Sequence, residues 1–511
     1  MDYQILLAFI LYFALVLGIG LYFYKRSHSM EDYFLGGRKM GPYVTAMSAQ
    51  ASDMSGWLLL GLPGSILVAG MGKVWIGIGL AIGSYVSWLI VAKRLRKHSV
   101  VAGNSLTMPE FFSNRYKDTK GYLRLISSVV ILVFFVLYVA SGFKSCGEVL
   151  NYAFDMDLTL AMIIGAAIIL IYTFLGGYKA VCWTDFFQAI LMVVAIVIVP
   201  LAAISSMGGW DAVTPGWEYV SMKYSTEGFA DLFFSDGAPM SAVAIISLLA
   251  WGFGYFGMPH IVVRYMSIRS IDEVKVARRV SLVWIVIALA AACLIGLVGR
   301  VYFDSMGLIP DPKGDFIGVP GYYNPEHVFL MMAGDLFIPF IAGVVFAAVM
   351  AAIMSTADSQ LLVASSSITN DVLGKSKRFN FSDEKLMWIS RGVVMVIAII
   401  AVFIAMFAGK NIMDLVEYAW SGFGSAFAPL MILSLFWRRM NLQGAMAAMI
   451  TGFIVVILWE TFGPEEIYSL LPGFLISLVV GIVVALLTPE PPQEAVEEFE
   501  AAQTYTETAS E

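Results

Sequence analysis

Charged residues are scarce in this chain. Asp, Glu, Lys and Arg make up 14% of its 511 residues, whereas apolar residues make up 59%. A soluble globular domain carries about 25% charged residues, so the composition argues against a soluble protein. The net charge of −7 also argues against a nucleic-acid partner, because proteins that bind nucleic acids present basic surfaces. The composition predicts a polytopic membrane protein.

Cysteine and histidine are also rare, which limits the chemistry that the chain can perform. Its three cysteines lie far apart in apolar segments without the spacing of a metal site, and their odd number argues against a disulfide framework. The four histidines are scattered, and neither an HExxH nor a GxSxG motif occurs. These absences predict a protein that is not an enzyme. The residues concerned are Cys146, Cys182, Cys293, His28, His98, His260 and His327.

Long apolar runs recur along the whole chain. A helix of about 20 apolar residues crosses a bilayer, and thirteen segments meet this requirement. We therefore predict an all-α polytopic membrane protein with thirteen transmembrane helices. The predicted spans are 3–24, 41–70, 74–94, 122–152, 158–178, 184–207, 238–263, 277–303, 327–358, 386–408, 411–437, 442–463 and 468–488.

The basic residues predict the orientation of these spans, because cytoplasmic loops carry an excess of Lys and Arg. With the N-terminus outside and the C-terminus inside, all but six of the 31 basic residues fall in cytoplasmic segments. Residues 208–237 and 304–326 then form external loops. Residues 489–511 form an acidic cytoplasmic tail that we expect to be disordered. The six exceptions are Lys73, Lys144, Lys223, Arg300, Lys313 and Lys410.

Two of the predicted spans contain helix breakers. Span two includes Gly56, Gly61, Pro63 and Gly64, and span seven reads WGFGYFGMPH from residue 251. Gly costs a helix about 1 kcal/mol relative to Ala and Pro about 3, and freed backbone groups survive in a membrane only inside protein or along a cavity. Interrupted helices at matching places in two halves indicate an inverted-repeat transporter. Close helix packing is the alternative role of such glycines.

The offset of five spans between the two breaks divides the chain. Residues 41–207 form the first inverted repeat, with helices 2–6, and residues 238–441 form the second, with helices 7–11. The first helix and its cytoplasmic loop (1–40) precede the repeats, and helices 12 and 13 (442–488) follow them.

An acid and a row of hydroxyls lie in these spans. Asp53 lies beside the break of span two, and a mid-membrane Asp costs about 2.5–3.5 kcal/mol on insertion scales, which makes it a functional candidate. In span nine, Ala352, Ser355, Thr356 and Ser359 stand at i, i+3, i+4 and i+7 and share one helical face. Freed carbonyls and hydroxyls suit a small hard cation. Hydroxyls that bond back to their own helix are the alternative.

Three further ionisable residues fall inside the predicted spans. Asp185 follows VCWT at the start of span six, where it is either a functional acid or an N-terminal helix cap. Lys144 and Glu148 stand at i and i+4 in span four, which predicts an ion pair within that helix near its external end.

Long motifs at these positions resemble those of the sodium/solute symporter family. They run from LGGRKMGP at 35–42 through ASDMSGW, WTDFFQA, WGFGYFGMPH and AAIMSTADSQLL to FWRRMN at 436–441. Within the family, the likeness is greatest to bacterial members that carry proline. The resemblance implies a leucine-transporter-like core of two inverted five-helix repeats, alternating access, and sodium (Na+) as the coupling ion.

The resemblance also implies roles for individual residues. Asp53 would support sodium coupling from beside the ion. Sodium would bind to the carbonyls of Ala51, Met54 and Ala352 and to the hydroxyls of Ser355 and Thr356. The substrate would contact Ser55, Gly56, Trp57, Tyr138, Trp251, Tyr255 and Pro259. Aromatic walls of this kind can bury the ring of proline and face its cationic amine.

Two residues depart from the family motifs. Met258 stands where Gln is expected, and Asp358 stands where relatives have a small hydroxyl residue. Some family members carry a second sodium site on this helix, with an acid that matches Asp185. We therefore expect that Asp185, Asp358 and Ser359, together with Ser355, could hold a second cation or a proton.

The expected function is sodium-coupled symport of L-proline into the cell across the plasma membrane, which is the inner membrane of a bacterium. One alternative keeps the fold and changes the solute to another amino acid, pantothenate, a sugar or a monocarboxylate. Another replaces sodium by a proton, and a remote one is a transporter-like nutrient sensor. We expect a lipid bilayer around the chain, no nucleic-acid partner and no obligate protein partner.

Overall fold

The computed structural model describes residues 2–24, 35–175, 177–224, 226–306, 309–310, 316–317, 324–374 and 381–507. Several basic residues used for the predicted orientation, and His28, lie outside these ranges. They are Lys25, Arg26, Lys313, Lys375, Lys377 and Arg378.

Helices dominate the described chain. The helices that precede residue 234 are α1 (Tyr3–Tyr24), α2 (Pro42–Asp53), α3 (Trp57–Ala69), α4 (Met71–Val101), α5 (Met108–Arg115), α6 (Tyr122–Phe154), α7 (Leu158–Leu175), α8 (Tyr178–Ser206) and α9 (Trp210–Lys223). The helices that follow it are α10 (Ala242–Phe256), α11 (Pro259–Ser267), α12 (Val274–Ser305), α13 (Val328–Leu336), α14 (Pro339–Gly374), α15 (Asp383–Phe407), α16 (Ile412–Phe436), α17 (Leu442–Phe462), α18 (Leu470–Leu487) and α19 (Gln493–Thr504).

Strands are confined to two-residue pairs among the described residues. The first antiparallel pair joins β1 (Phe234–Ser235) to β2 (Ala238–Pro239), and the second joins β3 (Ile309–Pro310) to β4 (Phe316–Ile317). The chain is therefore a helical protein, as its composition predicts.

Ten helices of the described chain are long and apolar enough to cross a membrane. Two bent pairs, α2 with α3 and α10 with α11, raise that number to as many as twelve. The apolar stretch Leu158–Phe174 is shorter and covers most of predicted span five. A polytopic membrane protein is confirmed, and the exact number of thirteen stays a prediction.

The first break lies where the sequence predicts it. Helix α2 ends at Asp53, α3 begins at Trp57, and their axes differ by 62°. Met54 leaves the helical region with φ −90° and ψ 80°, and Ser55 N–H donates to the carbonyl of Asp53 at 3.2 Å. Because this bond reaches back only two residues, it does not use the carbonyl of Ala51, which a regular helix would pair with Ser55.

The second break is gentler and has a different cause. Helices α10 and α11 meet at 44°. Residues 250–256 tighten into a 3₁₀ helix, Gly257 and Met258 separate the two halves, and Pro259 starts α11. Proline has no N–H to lose at a first helical position, so the helix restarts there without cost.

Helices α4 and α10 touch backbone to backbone. A side chain at Gly79 would lie 2.6 Å from the carbonyl oxygen of Leu249. One at Gly83 would overlap the carbonyl of Gly252, and one at Gly252 would overlap that of Gly79. These glycines therefore permit a close approach of α4 and α10. Close packing does not replace the break between α10 and α11, because both are present.

Two predicted boundaries are wrong. Span nine was expected from residue 327, but residues 328–336 form the separate helix α13 and the long helix begins at Pro339. Span six was expected from residue 184, but α8 begins at Tyr178. Asp185 therefore lies two turns inside a helix, which excludes the cap that the sequence left open.

The prediction of a disordered tail is wrong for residues 493–507. Helix α19 buries Ala495, Phe499 and Ala502, and Arg115 donates to the carbonyl of Ala495 at 3.1 Å. Acids of residues 493–507 pair with bases that are distant in sequence, so local composition could not reveal the partners. The ion pairs are Lys117–Glu494 (2.9 Å), Arg438–Glu500 (2.9 Å), Arg96–Glu507 (2.8 Å) and Lys117–Glu498.

Candidate functional site

Oxygen atoms from two helices converge at the first break. The hydroxyl of Ser355 lies 2.8 Å from the carbonyl oxygen of Ala51 and 3.1 Å from that of Ala352. The hydroxyl of Thr356 lies 3.3 and 3.1 Å from the same two oxygens. Four of the five residues implied as sodium ligands thus meet in one place. The fifth, Met54, is the residue that follows the last residue of α2.

This cluster is suited to a small cation. All of its ligating groups are neutral oxygens, which is the chemistry that hard ions prefer, and the four residues are buried. Both hydroxyls point across to α2 as well as back along α14, so the alternative in which they bond only to their own helix is excluded. Among the described residues there is no group of three or more His, Cys, Asp or Glu side chains that could hold a metal ion.

Asp53 lies beside the oxygen cluster and connects the two breaks. Its Oδ2 accepts a hydrogen bond from the hydroxyl of Tyr255 on α10. Its Oδ1 is buried and lacks a hydrogen-bond partner in the part of the chain that the structure describes. A buried carboxylate without a full set of donors is costly, so this position is built for something other than stability.

Aromatic side chains surround the carbonyl of Asp53. The indole nitrogen of Trp57 donates to it at 3.0 Å, and the hydroxyl of Tyr138 lies 3.5 Å away. Trp251 lies 6.3 Å from Trp57 between ring centroids. With Tyr255 these are the four aromatic residues predicted to contact substrate, and the structure brings them together, each no more than 1% exposed.

The remaining predicted substrate residues are more dispersed. Ser55 and Gly56 lie in the break, where a side chain on Gly56 would overlap the hydroxyl of Ser145. Gly56 is thus fixed by contact with α6. Pro259 lines a separate cavity with Tyr178 and Arg264 and not the aromatic cluster.

Three aromatic residues in this region were missed by the sequence analysis. Trp420 packs edge-on against Tyr255 at 5.4 Å and donates its indole N–H to the carbonyl of Trp251 at 2.8 Å. Tyr468 stacks on Trp251 at 5.0 Å, and His260 lies 6.1 Å from Tyr138. Trp420 sits in the small-residue stretch WSGFGSAF, which could have marked it as a packing centre.

The predicted second cation site contains a guanidinium group. Arg264 Nη2 lies 2.6 Å from the hydroxyl of Ser359 and 3.3 Å from Asp185 Oδ2, and its Nε donates to the hydroxyl of Ser48 at 3.1 Å. The hydroxyl of Ser359 lies 3.3 Å from Asp358 Oδ1. Sequence reasoning assigned Arg264 only to a cytoplasmic segment and missed it here.

Charge in this second cluster is not balanced by the arginine alone. Asp185 Oδ1 and Asp358 Oδ2 are buried and have no hydrogen-bond partner among the described residues. Two carboxyl groups therefore share one guanidinium. Ser355, which the sequence also assigned here, belongs instead to the oxygen cluster at the first break.

The predicted ion pair between Lys144 and Glu148 is not formed. Glu148 Oε2 lies 2.7 Å from His327 Nε2, and Lys144 donates to the carbonyl of Lys410. Beside them, Glu326 accepts a hydrogen bond from the N–H of Ile412 at 2.9 Å. Burial, with a smaller contribution from Glu148, raises the pKa of Glu326 to about 7. Long-range partners have replaced the local pair that the helical spacing suggests.

Known proteins share both the sequence and the fold of this chain. The model of the sodium:solute symporter family matches residues 33–452. The osmoregulated proline transporter OpuE of Bacillus subtilis is 40% identical over 494 residues, which cover 96% of each chain. The sodium/proline symporter of Haemophilus influenzae is 41% identical over 505 residues, covering 98% of this chain and 97% of that one.

Two solved structures are similar to this chain in fold. A Na+-coupled sialic acid symporter in a substrate-bound outward-open state superposes with a TM-score of 0.79 at 20% identity, covering 96% of this chain and 99% of that one. MhsT in complex with L-phenylalanine gives a TM-score of 0.53 at 13% identity, covering 87% and 97%. The first likeness is to a membrane transporter with nearly the same extent. With its family motifs, its broken helices and these relatives, the chain belongs to the sodium:solute symporter family.

Proposed function

We propose that this protein carries L-proline into the cell together with sodium by alternating access. The observation that carries the proposal is that the hydroxyls of Ser355 and Thr356 meet the carbonyl of Ala51 at the first break, where Ser55 N–H bonds to Asp53 instead of to Ala51. The names of the relatives, a proline transporter and a sodium/proline symporter, support both the ion and the solute. The place of action is the plasma membrane, which in a bacterium is the inner membrane.

Sodium would bind where the hydroxyls now donate to carbonyls. The carbonyls of Ala51 and Ala352 and the two hydroxyls can turn their lone pairs toward one ion, and the carbonyl of Met54 would complete the set. An ion there would join α2 to α14, because its ligands come from both helices. Its binding would therefore favour the arrangement in which these two helices are in contact.

Asp53 would act on the ion through its charge and on the solute through Tyr255. One oxygen of its side chain has no partner among the residues that the structure describes, and the other accepts a hydrogen bond from Tyr255. A negative charge beside neutral ligands raises cation affinity without entering the coordination shell. Because Tyr255 belongs to the second break, binding of an ion at the first break would affect the residues of the second break.

Proline would bind among Trp57, Tyr138, Trp251 and Tyr255. The aromatic faces can cover its ring and attract its cationic amine, and the N-terminal end of α3, where the helix dipole favours negative charge, can attract its carboxylate. Sodium and proline then stabilise the same closed state, so each raises the affinity for the other to an equal extent.

The membrane potential would drive accumulation. One positive charge that crosses 100 mV releases about 2.3 kcal/mol. At about 1.4 kcal/mol per tenfold change, this sustains roughly a fiftyfold gradient of proline from the potential alone.

We extend the proposal to topology. Thirteen spans, with the N-terminus outside and the C-terminus inside, would contain two inverted repeats at 41–207 and 238–441. Contacts between segments assigned to the same surface support this arrangement. At the inner surface Arg96, Arg115, Lys117 and Arg438 all contact residues 493–507, and at the outer surface Met71 N–H donates to the carbonyl of Phe229 at 2.8 Å.

Asp185, Asp358 and Ser359 are proposed as a second site for a proton or a cation. The two unpartnered carboxylate oxygens described above support this role. Arg264 already supplies one positive charge. A cation would therefore bind only if the guanidinium moved or if its charge did not balance both carboxylates. A proton shared between the two carboxyl groups meets the same need without movement.

The deciding experiment is uptake of labelled proline by vesicles that contain the purified protein. An inward sodium gradient should drive accumulation, and a proton gradient without sodium should not. Competition by other amino acids, pantothenate and monocarboxylates tests the solute. Uptake that follows pH at constant sodium would favour the proton-coupled alternative.

A further inference from the structure

A cavity of about 440 Å³ lies at one end of helix α4 and carries three basic side chains. Lys93, Arg94 and Lys97 line it from α4, and the end of α16 contributes Phe436. The other lining residues are Leu89, Ile90, His98, Ala502 and Gln503. Basic and apolar surfaces therefore meet in one concave site that the transport cycle described above does not use.

The three cations have no acidic partner among the described residues. Arg94 lies over the ring of Phe436 at 4.2 Å, and Lys97 donates to the carbonyl of Gln503 at 3.4 Å. In the neighbouring helix α19, Glu494 and Glu498 pair with Lys117 and Glu500 pairs with Arg438, while Glu507 beyond that helix pairs with Arg96. The cavity thus keeps net positive charge beside an acidic helix.

The position of the cavity corresponds to the headgroup level of a bilayer. From Met71 to Ala92, helix α4 rises about 33 Å at 1.5 Å per residue, close to the roughly 30 Å of a hydrocarbon core. Lys93 therefore begins where the hydrocarbon ends. Phe436 is the last residue of α16, so two spans end at the same level.

Apolar surface continues from the cavity toward the hydrocarbon. Leu89 is 44% exposed and Phe436 is 39% exposed, one turn or less from the cations. A ligand that fits both surfaces has a phosphate group for Lys93, Arg94 and Lys97 and acyl chains for Leu89 and Phe436.

We propose that this cavity binds the headgroup of an anionic phospholipid, with helix α19 as one wall. Basic pockets between transmembrane helices bind such headgroups, and charge complementarity favours an anionic lipid over a zwitterionic one. Because Ala502 and Gln503 of α19 line the same cavity, the bound lipid also holds the C-terminal helix against α4. The proposal depends on the depth of α4 in the membrane and not on the identity of the transported solute.

The test compares lipid retention by two matched triple variants of the full chain. Lys93→Gln, Arg94→Gln and Lys97→Gln remove the cations of the cavity. Lys275→Gln, Arg278→Gln and Arg279→Gln remove the same charge from the start of α12. Native mass spectrometry of protein purified with phosphatidylglycerol should show that the occupancy of one bound lipid falls at least tenfold in the first triple variant. The second triple variant should retain that lipid.

Further arms separate the possible outcomes. Phosphatidylcholine should not replace phosphatidylglycerol, and inorganic phosphate should not displace it, because the acyl chains contribute to binding. The variant Lys93→Arg with Lys97→Arg keeps the charge and should keep the lipid. Equal retention in both triple variants, displacement by inorganic phosphate, or loss of lipid from the charge-preserving variant would overturn the proposal.

Discussion

Two buried clusters in this transporter contain aspartate, and they differ in whether a cation of the protein compensates its charge. The carboxylate of Asp53 accepts a hydrogen bond from the hydroxyl of Tyr255, and no described cation pairs with it. Asp185 and Asp358 lie around the guanidinium of Arg264. The first arrangement leaves a cation to be supplied from outside, whereas the second contains a cation of its own. On the proposal made above, Asp53 serves a transported ion, whereas Arg264 balances part of the charge of Asp185 and Asp358 within the protein.

The largest expected effect separates these roles by stability. Arg264→Ala leaves two carboxyl groups buried without their guanidinium, and loss of one partner of a buried ion pair costs about 3–5 kcal/mol. We expect a strongly lowered melting temperature in detergent. Asp185→Asn combined with Arg264→Gln should recover a large part of the loss, and an unchanged melting temperature in Arg264→Ala would contradict the structural role.

Next in size is the effect of Asp53 on sodium. A unit charge about 5 Å from the ion contributes roughly 3 kcal/mol at an effective dielectric constant of 20. Asp53→Asn should therefore raise the sodium concentration for half-maximal proline uptake by about a hundredfold, with little change in melting temperature. Transport with unaltered sodium affinity would show that the two acid clusters do not differ as proposed.

Removal of the hydroxyl ligands should have a similar but smaller effect. Ser355→Ala with Thr356→Ala deletes two neutral oxygens, at about 1 kcal/mol each. We expect the half-maximal sodium concentration to rise about thirtyfold. Ser365→Ala is a suitable control, because that buried hydroxyl lies on the same helix and bonds back to Leu362 at 3.0 Å. A control as impaired as the double variant would refute a ligand role.

A milder change tests the link between the two breaks. Tyr255→Phe keeps the ring against Trp420 and removes only the hydrogen bond to Asp53, which is worth about 1.5 kcal/mol or somewhat more. About a tenfold rise should appear in the requirements for both sodium and proline. A change in only one of the two, measured by uptake at varied concentrations, would mean that the bond does not couple the breaks.

The smallest expected effect concerns Asp358. Its substitution by Asn leaves Arg264 paired with Asp185 and should not alter the sodium requirement of the first site. The ratio of sodium to proline flux should stay the same if the second cluster takes a proton or nothing. A ratio that falls from two to one in Asp358→Asn would instead establish a second sodium ion there.

The sequence predicted the parts of the site that depend on local spacing. Ser355 and Thr356 were found because i, i+3, i+4 spacing defines a helical face, and the breaks were found because Gly and Pro interrupt helices. Arg264 and Trp420 were missed because their partners are distant in sequence and only the packed fold brings them together. The folded helix α19 was missed for the same reason: its acids suggest disorder until Arg96, Lys117 and Arg438 are seen to pair with them.

The backbone contact between α4 and α10 has a mechanical consequence. Where Gly79 and Gly83 meet Gly252, the backbones of the two helices are in direct contact, and we expect α4 and α10 to move together. A tilt of the solute-facing half of α10 would then tilt the whole of α4 as well. Such a tilt would change the height of Lys93 relative to the lipid headgroups.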